Sequence, residues 1–368
     1  MQDGGSSNQD AGLGGGSSGG ADSGGGGGDQ DAGSGSVDQD AGSGGGAAGD
    51  ADAGGASGSD AGSGPHALTQ QESASALAID GANIYWVNRD GNDRFSASFA
   101  VRTMPKSGGG ATTLFTAAGS PEALVADGEA VFVTASDCTS FGPCASPLFR
   151  VEADGSGGRV IGSGRGHPAV DGDFVYVTGP SRFVPSVGQM DDLLKLPKHG
   201  GPPAVLDSVH DCDGTAVAVW GGEAFWALRR ITEGDTFGDI VAVPIGGGSP
   251  RIVFSKGNVV PPAMKIDVDW IYFRSAGSVF RVSRTATFGN EQLLWEANAF
   301  GQEIDANAHV VYWDQDPSTR FAGCVGRANA DGTDGRCLDQ GNAQFRGVRV
   351  DDTAVYYIKD GQIWRTDK

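Results

Sequence analysis

The sequence predicts an all-β protein. It is read as a seven-bladed β-propeller of four-stranded antiparallel blades over residues 65–368, closed by its N-terminal strand and preceded by a disordered linker over residues 1–64. Three observations carry the prediction. A short unit recurs seven times. Each copy lies in a stretch alternating at strand period with no helical period. The two ends of the repeating region are each incomplete in complementary ways.

Residues 1–64 are almost entirely Gly, Ser, Ala and Asp, in runs such as DQDAGSGS, with ten Asp and no Lys, Arg, Pro or aromatic residue. Such a stretch cannot bury enough apolar surface to offset the entropy of ordering its backbone. It is therefore expected to be a flexible acidic linker with a root-mean-square reach of roughly 45 Å. About half of the net charge of −20 lies there. An acidic chain with no basic stripe is a poor candidate for nucleic acid and is repelled by anionic membranes. The longest apolar runs are strand-sized, so no transmembrane segment is expected. Met1 is followed directly by polar residues, without the basic and apolar regions of a signal peptide. One expectation is a chain cut after its leader, with a lipid anchor upstream, standing outside the cytoplasm. The alternative is a cytosolic protein with an unusual tail.

The seven copies follow in order. They are AIDGANIYW (Ala78–Trp86), VADGEAVFV (Val125–Val133), AVDGDFVYV (Ala169–Val177), VWGGEAFWA (Val219–Ala227), KIDVDWIYF (Lys265–Phe273), DANAHVVYW (Asp305–Trp313) and RVDDTAVYY (Arg349–Tyr357). In each, an apolar stretch ends in Asp or a substitute. A tight turn rich in Gly, Asp and Asn follows, then a second strand with an aromatic residue at constant phase. A variable loop leads to a third strand, as in PLFRVEADG (Pro147–Gly155), and a Gly-rich turn to a fourth, as in PAVLDSV (Pro203–Val209). The last unit stops after its third strand, QIWRTDK (Gln362–Lys368). A spare strand, HALTQQ (His66–Gln71), precedes the first unit and is expected to complete the last blade, hiding the edges that an open array would expose.

The pattern of apolar-Asp, turn, then Ile/Val-Tyr-Trp, nearest in Ile84–Trp86 and Val311–Trp313, resembles the YWTD, NHL and Tol-type bacterial propellers, although no copy carries a full YWTD. The tail resembles that of exported envelope lipoproteins. The resemblance implies an extracellular, cell-surface or periplasmic location and a binding role.

Cysteine usage agrees with export. Cys138 and Cys144 bracket TSFGP, and Cys324 and Cys337 bracket a probable hairpin sequence, so two short-range disulfides are expected, with Cys212 left free. Five unpaired thiols are the alternative. No spacing suits zinc, and no metal or cofactor is expected.

The repeated aromatics are read first as packing between blades and the repeated Asp (Asp80, Asp127, Asp171, Asp267, Asp351) as turn-holding residues. His66, His167, His199, His210 and His309 fall in different units, and HDCDG (His210–Gly214), in the loop joining blades 3 and 4, is read as a solvated turn with Asp capping its own backbone, a metal site or a reactive thiol beside a His being the alternative. With no nucleophile or phosphate motif, no catalytic residue is assigned. The loops between second and third strands are more distinctive. Arg94-Phe95, Arg182-Phe183 and Arg320-Phe321 stand in three of them, and Arg229 with Phe237 in a fourth. Arginine forks and aromatic faces make binding anchors. They equally suit a Phe plugging its own blade and an Arg paired with a nearby Asp. The expected function is an exported, tethered, monomeric binding or scaffold module, non-enzymatic, that meets a protein, peptide or envelope glycan through this loop face. The alternative is a propeller-type hydrolase, lyase or lactonase with its site at the mouth of the central channel.

Overall fold

The computed structural model describes residues 64–90, 97–137, 145–232, 235–275, 277–288, 290–296, 303–307, 310–317 and 322–368. Seven antiparallel blades of four main strands follow one another in chain order. Blade 1 runs Ala74–Ile79, Asn83–Asp90, Ser98–Pro105 and Thr112–Ala118 from the axis outwards. The inner strands of blades 2–4 are Ser120–Ala126, Arg165–Asp171 and Cys212–Trp220. Those of blades 5–7 are Met264–Ile266, Ile304–Asn307 and Phe345–Val350. The expected closure is present. His66–Ala67 pairs with Gln362–Asp367 as the outermost strand of blade 7. Beyond the strand, the Leu68 amide donates to the Ile363 carbonyl at 2.8 Å and the Ile363 amide to Thr69 Oγ1 at 2.9 Å.

One device recurs around the ring. The repeat aromatics Tyr85, Phe132, Tyr176, Phe225, Tyr272, Tyr312 and Tyr356 are all essentially fully buried. Each belongs to a separate apolar cluster shared between its own blade and the next: Tyr85 packs with Leu124 and Val131 of blade 2, and Tyr356 with Leu77 and Ile84 of blade 1. The core is thus seven interfaces rather than one centre.

In blades 1, 5 and 7 the Asp at the preceding turn fixes the aromatic in place. Asp80 Oδ1 accepts the Ala82 and Asn83 amides, both at 2.7 Å, while Oδ2 accepts the Tyr85 hydroxyl at 2.6 Å. Asp267 does the same with Asp269, Trp270 and Tyr272, and Asp351 with Thr353, Ala354 and Tyr356. In blade 2 the aromatic is Phe132 and has no hydroxyl. There the carboxylate of Asp127 is instead met by Lys198 of blade 3, at 2.5 Å.

The segment HDCDG is not a loop. Strand Ala204–His210 turns sharply at Asp211, which takes a positive φ of 54°, and Cys212 already begins the inner strand of blade 4. Cys212 is a buried free thiol whose pKa burial pushes up to about 11. Cys324 and Cys337 form the expected disulfide, whereas Cys138 and Cys144 lie outside the described residues.

Burial alone would raise the pKa of Asp351, but hydrogen bonds from Lys106 and the turn amides outweigh it and hold the carboxyl far below its ordinary value of 3.8. A depressed folded-state pKa gives stability that is complete above the unfolded value and is lost as pH falls below it. Equilibrium urea unfolding is therefore expected to show wild-type stability dropping below about pH 4. The Asp351→Asn variant, less stable at pH 7, should drop less over the same window.

Candidate functional site

Alternation along each inner strand turns every second residue to the ring axis. Seven positions before the repeat aromatic, blades 1–4 carry Ala78, Val125, Ala169 and Ala218, and blades 5–7 carry Lys265, Asp305 and Arg349. All of them line one central cavity of about 950 Å³. Four members of this layer are small and apolar, and the other three alternate in charge.

Nine positions before the aromatic, five blades carry Ala76, Ala123, Ala216, Ala263 and Gly347. Blade 3 instead carries His167 and blade 6 carries Glu303. His167 Nδ1 stands 3.6 Å from Glu303 Oε1, so two side chains from opposite sides of the ring meet across the channel and floor the cavity. A parallel bridge between His167 and Ala216 fixes the His167 backbone against blade 4. On the other side the Glu303 amide donates to Asp314 Oδ1 at 2.9 Å, and that buried carboxylate also accepts Arg274 Nη1 at 2.8 Å.

The charges are paired. Arg349 Nη1 donates to Glu303 Oε2 at 2.8 Å and to the Val348 carbonyl at 2.7 Å. Lys265 Nζ lies 3.0 Å from Asp305 Oδ1, whose Oδ2 accepts the Val350 amide at 2.9 Å. Lys106 reaches Asp351 at 2.8 Å. Burial opposes ionisation of Glu303, but the charges of Arg349 and then His167 outweigh it and hold its carboxyl below the ordinary range. Burial likewise opposes the Arg349 charge, and Glu303 with Asp305 more than restores it. The floor is therefore a fixed anion flanked by an arginine and by an imidazole.

The cavity opens on the face of the inner hairpin turns. Asp80, Lys106, Asp352 and Trp220 line its mouth, and no described residue of the long second-to-third-strand loops does. The described ones, in blades 3 and 4, lie on the other face. Arg182 forms a two-point contact with Asp192, both at 3.0 Å, and the adjacent Phe183 is 77% exposed. Arg229 is held by Asp213, which also accepts Gln189 Nε2 at 3.1 Å and so ties the hairpins of blades 3 and 4 together. Phe237 lies under the Arg230 guanidinium, 5.0 Å from its ring centre. Arg94, Phe95, Arg320 and Phe321 lie outside the described residues.

Sequence reading treats His167 as one of five scattered histidines and does not single out Glu303, Arg349, Lys265 or Asp305 as site residues. The signal is there once the copies are aligned on their aromatic: two columns dominated by small residues, with charged exceptions in blades 3, 5, 6 and 7.

No family model matches this chain, and no curated protein matches it in sequence. Solved structures do match in fold. The β-propeller domain of the Trilobed protease from Pyrococcus furiosus, described as having an open velcro topology, is 11% identical, with a TM-score of 0.56 over 80% of this chain and 95% of that one. A virginiamycin B lyase from Staphylococcus aureus is 12% identical, with a TM-score of 0.53 over 82% and 98%. TolB from Acinetobacter baumannii is 14% identical, with a TM-score of 0.46 over 78% and 64%. The class is thus that of the β-propellers, and these likenesses are of fold alone.

Removing one partner of a buried ion pair strands the other charge, at a cost of about 3–5 kcal/mol. Glu303→Ala is expected to fall in that range by urea unfolding. His167→Ala should cost less than about 1 kcal/mol, because its contact is long and Ala is the common residue of that column.

Proposed function

We propose that this propeller is a ligand-binding module whose ligand enters the central cavity from the hairpin-turn face and rests on the floor made by His167, Glu303 and Arg349. The single observation behind this reading is that contact across the channel. Two titratable side chains replace Ala in a column of small residues, and both converge on the cavity. The volume is at the upper end of the ~300–1,000 Å³ usual for small-molecule pockets.

Residues 1–64 act as the stalk of an exported, tethered protein. The Cys324–Cys337 disulfide supports an oxidising, extracytoplasmic setting. The loop face is a second surface, for a protein, peptide or glycan partner, with Phe183 and Arg182 beside Arg229 and Phe237, and with Arg94, Phe95, Arg320 and Phe321 as its remaining members. An enzyme using His167 as proton carrier is the alternative for the cavity itself, favoured by the carboxylate against its ring.

A thermal-shift screen of the full chain against small polar ligands tests the reading. A ligand bound only by the folded state at a hundredfold excess over Kd stabilises it by about 2.7 kcal/mol. The shift is expected to shrink in Ala218→Trp, which places an indole inside the cavity, and to persist in Phe183→Asp. The opposite pattern would move the site to the loop face. Conversion of the bound ligand by wild type but not by His167→Ala would favour the enzyme.

A further inference from the structure

Resting on the cavity reading above, we infer that the ligand is a neutral carbohydrate, a short oligosaccharide that stacks on Trp220 at the mouth and takes hydrogen bonds from the charged arc of blades 5–7. Trp220 occupies the turn position where five other blades carry Asp and blade 6 carries Asn307. The turn does not need an Asp there, because Gly221 and Gly222 take positive φ angles of 61° and 83° and close it unaided. Nor does the fold bury this indole: it is 41% exposed while lining the cavity. A large aromatic face is thus held at the entrance, where burial between blades does not account for it. An exposed indole offers an apolar platform with a polar edge.

The arc below disfavours charged ligands. Lys265 is paired with Asp305, Arg349 with Glu303, and Lys106 with Asp351. A charged group entering must displace one partner and leave the other charge without its counter-ion. A hydroxyl is both donor and acceptor and can add to the remaining protons of Lys265 and the remaining lone pairs of Asp305 without separating them. Opposite this arc stand Ala78, Val125, Ala169 and Ala218, small apolar groups suited to the C–H faces of a pyranose ring. Polar on one side, apolar on the other and capped by an aromatic, the cavity matches the two-faced chemistry of sugars and exceeds what one ring fills.

Isothermal titration calorimetry on the full chain tests the inference. One panel holds neutral trisaccharides of glucose in α and β linkage and of N-acetylglucosamine. The other holds glutamate, lysine, triglycine and a trigalacturonate. The expected result is saturable binding of a neutral trisaccharide, with a Kd that changes less than about twofold between 50 and 500 mM NaCl. Trp220→Ala and Lys265→Ala should each raise that Kd about tenfold or more. Trp220 is exposed, so Trp220→Ala is expected to keep the wild-type melting temperature within a few degrees, whereas Lys265→Ala leaves the buried Asp305 without its ammonium partner and is expected to lower it. Binding of a charged ligand instead, weakened both by salt and by Ala218→Trp, would overturn the carbohydrate assignment and leave the cavity reading standing. Trisaccharide binding unchanged in both variants would likewise overturn it. No binding from either panel would overturn both.

Discussion

Every blade is joined to the next by one buried aromatic ring, and three of those rings are fixed by an aspartate at the turn five residues earlier. This contact does two jobs. The ring supplies apolar surface that a thin four-stranded sheet cannot bury alone, and the carboxylate closes the hairpin that delivers the ring. Asp80, Asp267 and Asp351 do so through a tyrosine hydroxyl. Where the hydroxyl is missing, Lys198 crosses from blade 3 to meet Asp127, so the charge is satisfied in another way. Seven such interfaces require a closed ring, and the two-residue strand His66–Ala67 provides the closure.

Because the core lies between blades, the inner strands are released from packing on their axial side. Small residues are the default there, as the columns containing Ala76 and Ala78 show. Departures from the default are therefore not demanded by the fold, and they cluster. Lys265, Asp305 and Arg349 occupy three consecutive blades, while His167 and Glu303 meet from opposite ones. Trp220 is a third departure, in the turn column. Buried ion pairs contribute little net stability against apolar replacements, so a cluster of them around a cavity is better explained by ligand recognition than by folding. Their mutual neutralisation shapes what enters: the lining is rich in hydrogen-bonding groups and nearly balanced in charge.

The fold was legible in the sequence because it is written seven times. The apolar-Asp-turn-aromatic unit specified the strands, the phase of the aromatic specified the blade interfaces, and the short last unit with its spare strand specified the closure. Two things were harder to read. The turn at Asp211 needs a positive φ from a non-glycine residue, so HDCDG looked like a loop when Cys212 already stands in a strand. The cavity residues were overlooked because motif reading looks for chemistry close together in sequence, whereas His167 and Glu303 are brought together only by ring closure. The long Arg-Phe loops drew attention because they are local and unusual. In the two that are described, Arg182 and Arg229 are engaged by Asp192 and Asp213.

The central claim is that the small-molecule ligand is recognised on the His167–Glu303 floor and not on the loop face, which is left to a macromolecular partner. Histidine side-chain resonances report both places in one spectrum. His167 lies in the channel, while His210, beside Asp211, lies at the loop-face end of blade 3. In a ¹H–¹⁵N correlation spectrum of the imidazole groups, the account predicts that Glu303→Gln moves the His167 signals and that a bound ligand moves them too, with His210 unchanged. A ligand that shifts His210 and leaves His167 where it was would contradict it.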